Sequence, residues 1–288
     1  MSATQTAQLM DGRSLAKRIV DEAAAKATEI SRRTGTRPCL ATVMVGEDPA
    51  SATYVRMKRA RCAKAGIQSR HIGLPTTTTI AELIDTLADL SSDPDVHGIL
   101  LQHPCGPHID ERGAFEAIAP EKDVDGVTMH SFAAMSFALP GFVSCTPGGI
   151  MRLLDAYDVN LIGRHAVVVG RSPILGKPVG MLLLAKDATV TYCHSRTTDL
   201  SAIIQEADVV VAAVGRPRLI HGEDIKPGAV VVDAGYNPGN VGDVDYDTAL
   251  TRARLITPVP GGVGSMTIAV LLAQTVEAAA NQLGVPHL

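Results

Sequence analysis

The stretch AVVVGRSPILGKP, residues 166–178, decides the fold. Its apolar run, 166–169, has the length of a buried strand, Gly170 and Gly176 bracket a turn, and Pro178 suits the first turn of a helix over 179–186. Strand, turn and helix in this order make a phosphate-binding corner, because a helix N-terminus offers unpaired backbone N–H groups and a partial positive charge. The spacing is Gly-x-Ser-x-x-x-Gly rather than Gly-x-Gly-x-x-Gly, so taken alone it reads equally well as a bare strand-to-helix turn.

The next strand lies within ATVTYCHSRT, residues 188–197. An NAD-binding chain places an Asp or Glu at its end, roughly 20 residues beyond the glycine turn, for the ribose hydroxyl. Here His194, Ser195 and Arg196 stand at that end, and Arg171 occupies the first turn. Singly, each arginine reads as a solvated surface residue. Two flanking one adenosine site suit a 2′-phosphate, which predicts NADP rather than NAD.

Outward from this corner the chain alternates elements. Periodicity predicts helix over 12–32, strand over 40–46, helix over 50–65, strand over 68–74, helix over 80–90 and strand over 98–102. A turn-rich stretch, 120–147, leads to a helix starting near Gly148, and beyond the cofactor corner come apolar runs at 209–214, 229–233 and 255–256. The pattern is α/β, with a parallel sheet wound by helices. The expected organisation is two α/β domains with a cleft between them. Residues 1–147 form the first, completed by a returning helix over 266–288, and residues 148–265 form a Rossmann-like nucleotide domain. Residues 1–8 read as a loose tail.

Composition narrows the partners. The 288 residues carry a formal charge of −4, no tryptophan and 3% aromatics, which argues against nucleic acid and for a small-molecule substrate. Cysteines 39, 62, 105, 145 and 193 form no C-x-x-C pair and no metal-ligand spacing, as expected of reduced thiols in a cytoplasmic protein without a metal. MSATQTAQLM lacks the plan of a signal peptide, and no run reads as the 18 or so apolar residues of a membrane span.

Four further segments carry candidate chemistry. Tyr54 and Lys58 share one helix face; a surface pair has the same spacing, but a partly buried amine has a lowered pKa and can act as a general acid or base. Gln102 ends the apolar strand GILLQ, at the strand end where open α/β sheets place ligands, although a capping glutamine fits too. In PEKDVDG, 120–126, Asp125 can accept two hydrogen bonds from an amidine-like heterocycle edge or simply stabilise a turn. TPVPGGVGSMT, 257–267, joins stiffening prolines to glycines that let a ligand approach the backbone, with Pro260, Gly261 and Gly262 at its centre.

Together these segments resemble the methylenetetrahydrofolate dehydrogenase/methenyltetrahydrofolate cyclohydrolase family. GEDPASATYVRMK, LLQ followed by PHID, PEKDVDG, CTPGGI, GRSPILGKP, VTYCHSRT and TPVPGGVGSMT occur in the family's order between about residues 9 and 284. The resemblance implies a folate-holding first domain, an NADP-binding second domain and a dimer formed through the nucleotide domains. It implies that Lys58 is the catalytic lysine, that Gln102 positions it, that Tyr54 lies beside the pterin and that Asp125 binds the pterin. Pro260, Gly261 and Gly262 fall on the substrate side. Arg171 and Ser195 match 2′-phosphate contacts, while Gly170, Ser172, Thr146 and Thr267 fall along the nucleotide and nicotinamide path.

The implied chemistry suits these residue types. Hydride transfer from the one-carbon bridge leaves a cation without releasing a proton, so it demands mainly positioning. Hydrolysis of the methenyl carbon needs water activation, a task for Lys58 tuned by Gln102 and Tyr54. The chain also departs from the family's usual wording at His103, Cys105, Ser131, Ser144, Tyr236 and Ser265, which marks it as a divergent member with a reshaped pocket wall.

Overall fold

The computed structural model describes residues 6–46 and 60–286. In chain order the elements are β1 (Gln8–Leu9), α1 (Gly12–Thr34), β2 (Cys39–Val45), β3 (Gln68–Leu74), α2 (Ile80–Ser92), β4 (Gly98–Gln102), α3 (Glu111–Phe115), α4 (Met129–Ser136) and α5 (Cys145–Ala156). They continue with β5 (His165–Val169), α6 (Gly176–Leu184), β6 (Thr189–Cys193), α7 (Leu200–Gln205), β7 (Val209–Ala212), β8 (Val230–Asp233), α8 (Tyr246–Ala249), β9 (Leu255–Ile256) and α9 (Val263–Gln282). Most of the helix expected over 50–65 lies outside the described residues; its described end, 60–64, is helical. The chain forms two compact units, Lys17–Ser144 with Ile268–Leu288, and Met1–Ala16 with Cys145–Thr267.

The first unit is built on a parallel sheet in the order β3-β2-β4. Central β2, CLATVMV, is buried along nearly its whole length, as a strand covered on both faces must be. Edge strand β3, QSRHIGL, keeps its polar residues outward. Thr79 and Glu82 cap the start of α2 reciprocally. At the other end of α2 the buried Lys122 donates from Nζ to Leu90 O at 3.3 Å and Asp93 O at 2.6 Å. A cation there satisfies carbonyls that the helix leaves open and faces the negative end of its dipole. The last stretch of the chain closes this unit. Gln274 Nε2 donates to Val124 O and Val143 O at 2.7 and 3.0 Å, and Gln282 Nε2 donates to His97 O and Glu121 O at 2.8 and 3.1 Å.

The second unit carries a parallel sheet in the order β1-β9-β8-β7-β5-β6. Strands β5, β7 and β8 read HAVVV, VVVA and VVVD, and their valines are buried. Two sequence expectations change here. The N-terminal segment is no loose tail from residue 7 onward: Ala7 N–H donates to Leu250 O at 2.9 Å, and Gln8 and Leu9 pair with Leu255 and Ile256, so the segment covers an otherwise open sheet edge. Residues up to Ala16 accordingly group with the six-stranded unit. The second change concerns α9, which is long and apolar enough to cross a membrane. Since 72% of its apolar window is buried inside the protein, its apolarity belongs to a core helix.

Replacing Lys122 by Met keeps the length of the stem and strands the two carbonyls. We expect a loss of about 1.5–3 kcal/mol in unfolding free energy, the range for a hydrogen-bonded charged group, measured by urea titration. An unchanged midpoint would show that water replaces the amine at no cost.

Candidate active site

The C-terminal edge of the six-stranded sheet is built by close backbone approach. Val169 pairs with Cys193 of β6 and Ala212 of β7, and Gly170 then turns away with φ 140° while its N–H donates to Cys193 O at 2.9 Å. A Cβ at residue 170 would overlap Ala213 O, and one at residue 176 would press on Gly170 O. Glycine is required at both positions by lack of space.

The helix N-terminus does not present its amides as the sequence suggested. Ser172 Oγ accepts the N–H groups of Leu175 and Gly176, both at 3.2 Å, and Ser172 O accepts Lys177 N–H at 3.0 Å. A serine at that offset caps the turn from within, so these N–H groups are occupied. What the corner offers to solvent is exposed Arg171, Pro173 and Lys177. Across the β5–β6 pair, Ser195 and Arg196 are also exposed, on a turn held by His194 N–H to Thr197 Oγ1 at 2.8 Å and Arg196 N–H to His194 Nδ1 at 3.1 Å. No carboxylate follows β6 before Asp199.

Thr146 and Thr267, far apart in sequence, meet through their hydroxyls at 2.9 Å. Nearby in chain order, the loop 257–262 rests against the start of α1. Arg13 N–H donates to Gly261 O at 3.1 Å, Gly262 N–H donates to Pro258 O at 2.8 Å, and a Cβ at Gly12 would overlap Gly262 O. Pro260 is exposed and Gly261, at φ 117°, is half-buried.

Sequence reasoning missed two buried aspartates on this edge. Asp233, the last residue of β8, accepts N–H groups from Gly235 and Asp243 on Oδ1 and from Val244 on Oδ2, at 2.9–3.0 Å. Burial first, and the neighbouring Asp243 as well, push its carboxyl up to about 6, against the pull of those N–H donors. Asp243 is fully buried; Oδ2 accepts Val214 and Gly215 N–H at 2.7 and 2.9 Å, and Oδ1 accepts Asn237 Nδ2 at 3.0 Å. For Asp233 the signal was an acid ending an otherwise all-valine strand, a position where a charge survives only if the backbone satisfies it.

In the other unit Gln102 ends β4 opposite Met44, and its Nε2 donates to His103 O at 3.0 Å. Cys105 Sγ lies 3.6 Å from Gln102 O, and burial pushes its thiol up to about 12. Asp125 is half-buried in the turn after the wholly buried Asp123. Asp123 organises that turn by accepting Val127 N–H, Thr128 N–H and Ser131 Oγ–H at 3.1, 2.9 and 2.6 Å. Tyr54 and Lys58 lie outside the described residues. The unusual residues are locally satisfied. Ser131 binds Asp123, Ser144 Oγ donates to Gly126 O at 2.7 Å, Ser265 N–H donates to Gly262 O at 3.3 Å, Tyr236 Oη donates to Asn240 Oδ1 at 2.7 Å, and the His103 ring stands edge-on to Phe115.

Comparison with known proteins places this architecture. Residues 10–125 match the catalytic domain of tetrahydrofolate dehydrogenase/cyclohydrolase, and residues 144–283 match its NAD(P)-binding domain. The chain is 86% identical over 285 residues to bifunctional protein FolD 1 of Streptomyces avermitilis, covering 99% of each. Among solved structures it superposes on the bifunctional FolD enzyme of Campylobacter jejuni with a TM-score of 0.93 at 41% identity, covering 95% of this chain and 99% of that one. On the Trypanosoma brucei methylenetetrahydrofolate dehydrogenase-cyclohydrolase, solved with NADP and an inhibitor, the TM-score is 0.92 at 38% identity, covering 96% and 98%. A relative so similar makes the description as a divergent member unnecessary. The chain belongs to the tetrahydrofolate dehydrogenase/cyclohydrolase family.

Proposed function

We propose that this chain oxidises 5,10-methylenetetrahydrofolate with NADP and hydrolyses the resulting 5,10-methenyltetrahydrofolate to 10-formyltetrahydrofolate. The observation that carries the cofactor assignment is the edge beyond β5 and β6: exposed Arg171 and Ser195, with no acid at the β6 end to meet a ribose hydroxyl. That edge fits a nucleotide with a 2′-phosphate, because a carboxylate there would repel the phosphate and a guanidinium attracts it. The similar trypanosomal enzyme, crystallised with NADP, supports the same reading.

When bound, NADP supplies the hydride acceptor. The chain's own residues do the rest. Gly170 and Ser172 shape the nucleotide turn, Arg171 and Ser195 hold the 2′-phosphate, and Thr146 and Thr267 line the nicotinamide side. Asp125 binds the pterin, with Pro260, Gly261 and Gly262 against the substrate. Lys58 handles the proton of the attacking water, Gln102 orients it and Tyr54 stands beside the pterin. A variant of this reading, a dehydrogenase with weak cyclohydrolase activity, would leave Lys58 with little to do, and the similar relatives named bifunctional favour the full pair of reactions. The enzyme works in the cytoplasm as a homodimer.

Two substitutions test the assignment. Arg171→Ala should raise the KM for NADP roughly 10- to 100-fold, the worth of a hydrogen bond to a charged group, and leave NAD nearly unaffected; initial rates with both cofactors measure it, and equal losses would refute the 2′-phosphate contact. Lys58→Met should lower methenyltetrahydrofolate hydrolysis by about 10²-fold or more, as loss of a general acid–base group does, while hydride transfer survives better. Methenyl decay corrected for the uncatalysed reaction, beside NADPH formation and a folding control, decides it. Parental hydrolysis by the folded variant would remove Lys58 from the mechanism.

A further inference from the structure

The strand order locates a crevice that the cofactor turn alone does not define. The chain leaves β5 for β6 on one side, then returns past β5 to β7 on the other and moves on to β8. Connections leaving adjacent strands in opposite directions open a gap above the strand ends, where open α/β sheets take their ligands. Here the gap lies between the turn after β5 and the turn after β7. The two turns touch. Ala213 N–H donates to Val169 O at 2.8 Å, and Ala213 O occupies the space a Cβ of residue 170 would need.

The β7 side has an unusual support. Immediately past Ala213, the N–H groups of Val214 and Gly215 leave the strand ladder and need acceptors. Both find Asp243 Oδ2, at 2.7 and 2.9 Å. Asp243 is fixed in turn: Oδ1 accepts Asn237 Nδ2, and its own N–H donates to Asp233 Oδ1. Asp233 is tied onward to the start of the 257–262 loop, its N–H donating to Thr257 Oγ1 at 2.7 Å. Burying two carboxylates this close is costly, and apolar side chains would seal the sheet end at less expense. What an apolar plug lacks is an acceptor of fixed direction for two consecutive amides.

We propose that Asp243 is a positioning residue for the dehydrogenase reaction, setting NADP affinity by holding the Val214–Gly215 turn against the Gly170 turn. The inference rests on reading the β5 turn as the cofactor site. Asp243 acts through the backbone it holds.

Asp243→Asn conserves shape but turns one oxygen into a donor, so either the two turn amides or Asn237 lose their acceptor. The KM for NADP should rise about tenfold or more, as for a lost hydrogen bond to a charged acceptor, while kcat at saturating NADP stays within about threefold and hydrolysis, which needs no cofactor, falls far less than kcat/KM for NADP. Gly215→Ala gives an independent reading. Residue 215 has φ 63° and open space around it, so the added methyl strains only the turn and leaves both carboxylates intact. It too should raise the KM for NADP, and it decides the matter if Asp243→Asn does not fold. Folded variants with parental KM for NADP would overturn the inference, as would an Asp243→Asn protein that loses both reactions in equal proportion with the cofactor KM unchanged. Arg171→Ala separates the two levels of the argument. If it weakens NADP selectively while both turn variants bind NADP as the parent does, the positioning role alone falls; a parent that does not bind NADP removes the reading beneath it.

Discussion

Lack of space for a side chain at residue 170 is the constraint on which the nucleotide edge depends. The backbone of β5 has to pass beneath Ala213 O, bend, and meet the incoming helix at Gly176, all within van der Waals reach. Gly180 extends the requirement one turn further, since a Cβ there would overlap Tyr192, whose hydroxyl donates to Lys177 O at 2.9 Å. Glycine is therefore what lets α6 lie down on β5 and β6. The conformational entropy that these glycines lose on folding is offset by backbone contacts no larger residue would allow.

This constraint explains which parts of the structure were legible in the sequence. Interior parallel strands are covered on both faces, so β5, β7 and β8 appear as uninterrupted valine runs, and β4 and β3 could be delimited to the residue. Strand β1 could not be seen, because two residues carry no periodicity and its partner is near the far end of the chain. Among the candidate site residues, Gly170 was readable from its turn, whereas the hydroxyl pair Thr146–Thr267 joins positions 121 apart in sequence, which no local pattern reveals. Ser172 was readable as part of the turn but not in its role, since a serine oxygen can face a ligand or its own helix, and here it takes two amides of that helix. Asp125 attracted attention while its neighbour Asp123 did the visible work, because burial is not written in a run of two acids and a valine.

The residues singled out as unusual in the sequence are each held by a local partner. Ser131 supplies a hydroxyl to the carboxylate that organises the 123–131 turn, and Ser144 supplies one to the carbonyl of Gly126. Each small polar residue arrives with its own partner, so none leaves a buried group unsatisfied. In the first turn of α9, a residue with an N–H lets position 265 donate to Gly262 O, a bond proline could not make.

Neither unit is continuous in the sequence, and this bears on how the protein is made. The three-stranded unit contains Lys17–Ser144 but also Ile268–Leu288, and the six-stranded unit takes its edge strand from Gln8–Leu9. On the ribosome, the earlier-made unit therefore waits for Gln274 and Gln282 to reach the carbonyls of Val124, Val143, His97 and Glu121, by which time the intervening unit has been synthesised whole. Contacts this far apart in sequence make for slow closure, and the apolar strands β2 and β4 of the three-stranded unit must be kept from other chains until it happens. A nascent chain stalled within α9 would carry a nearly complete six-stranded unit and a three-stranded unit still lacking that helix.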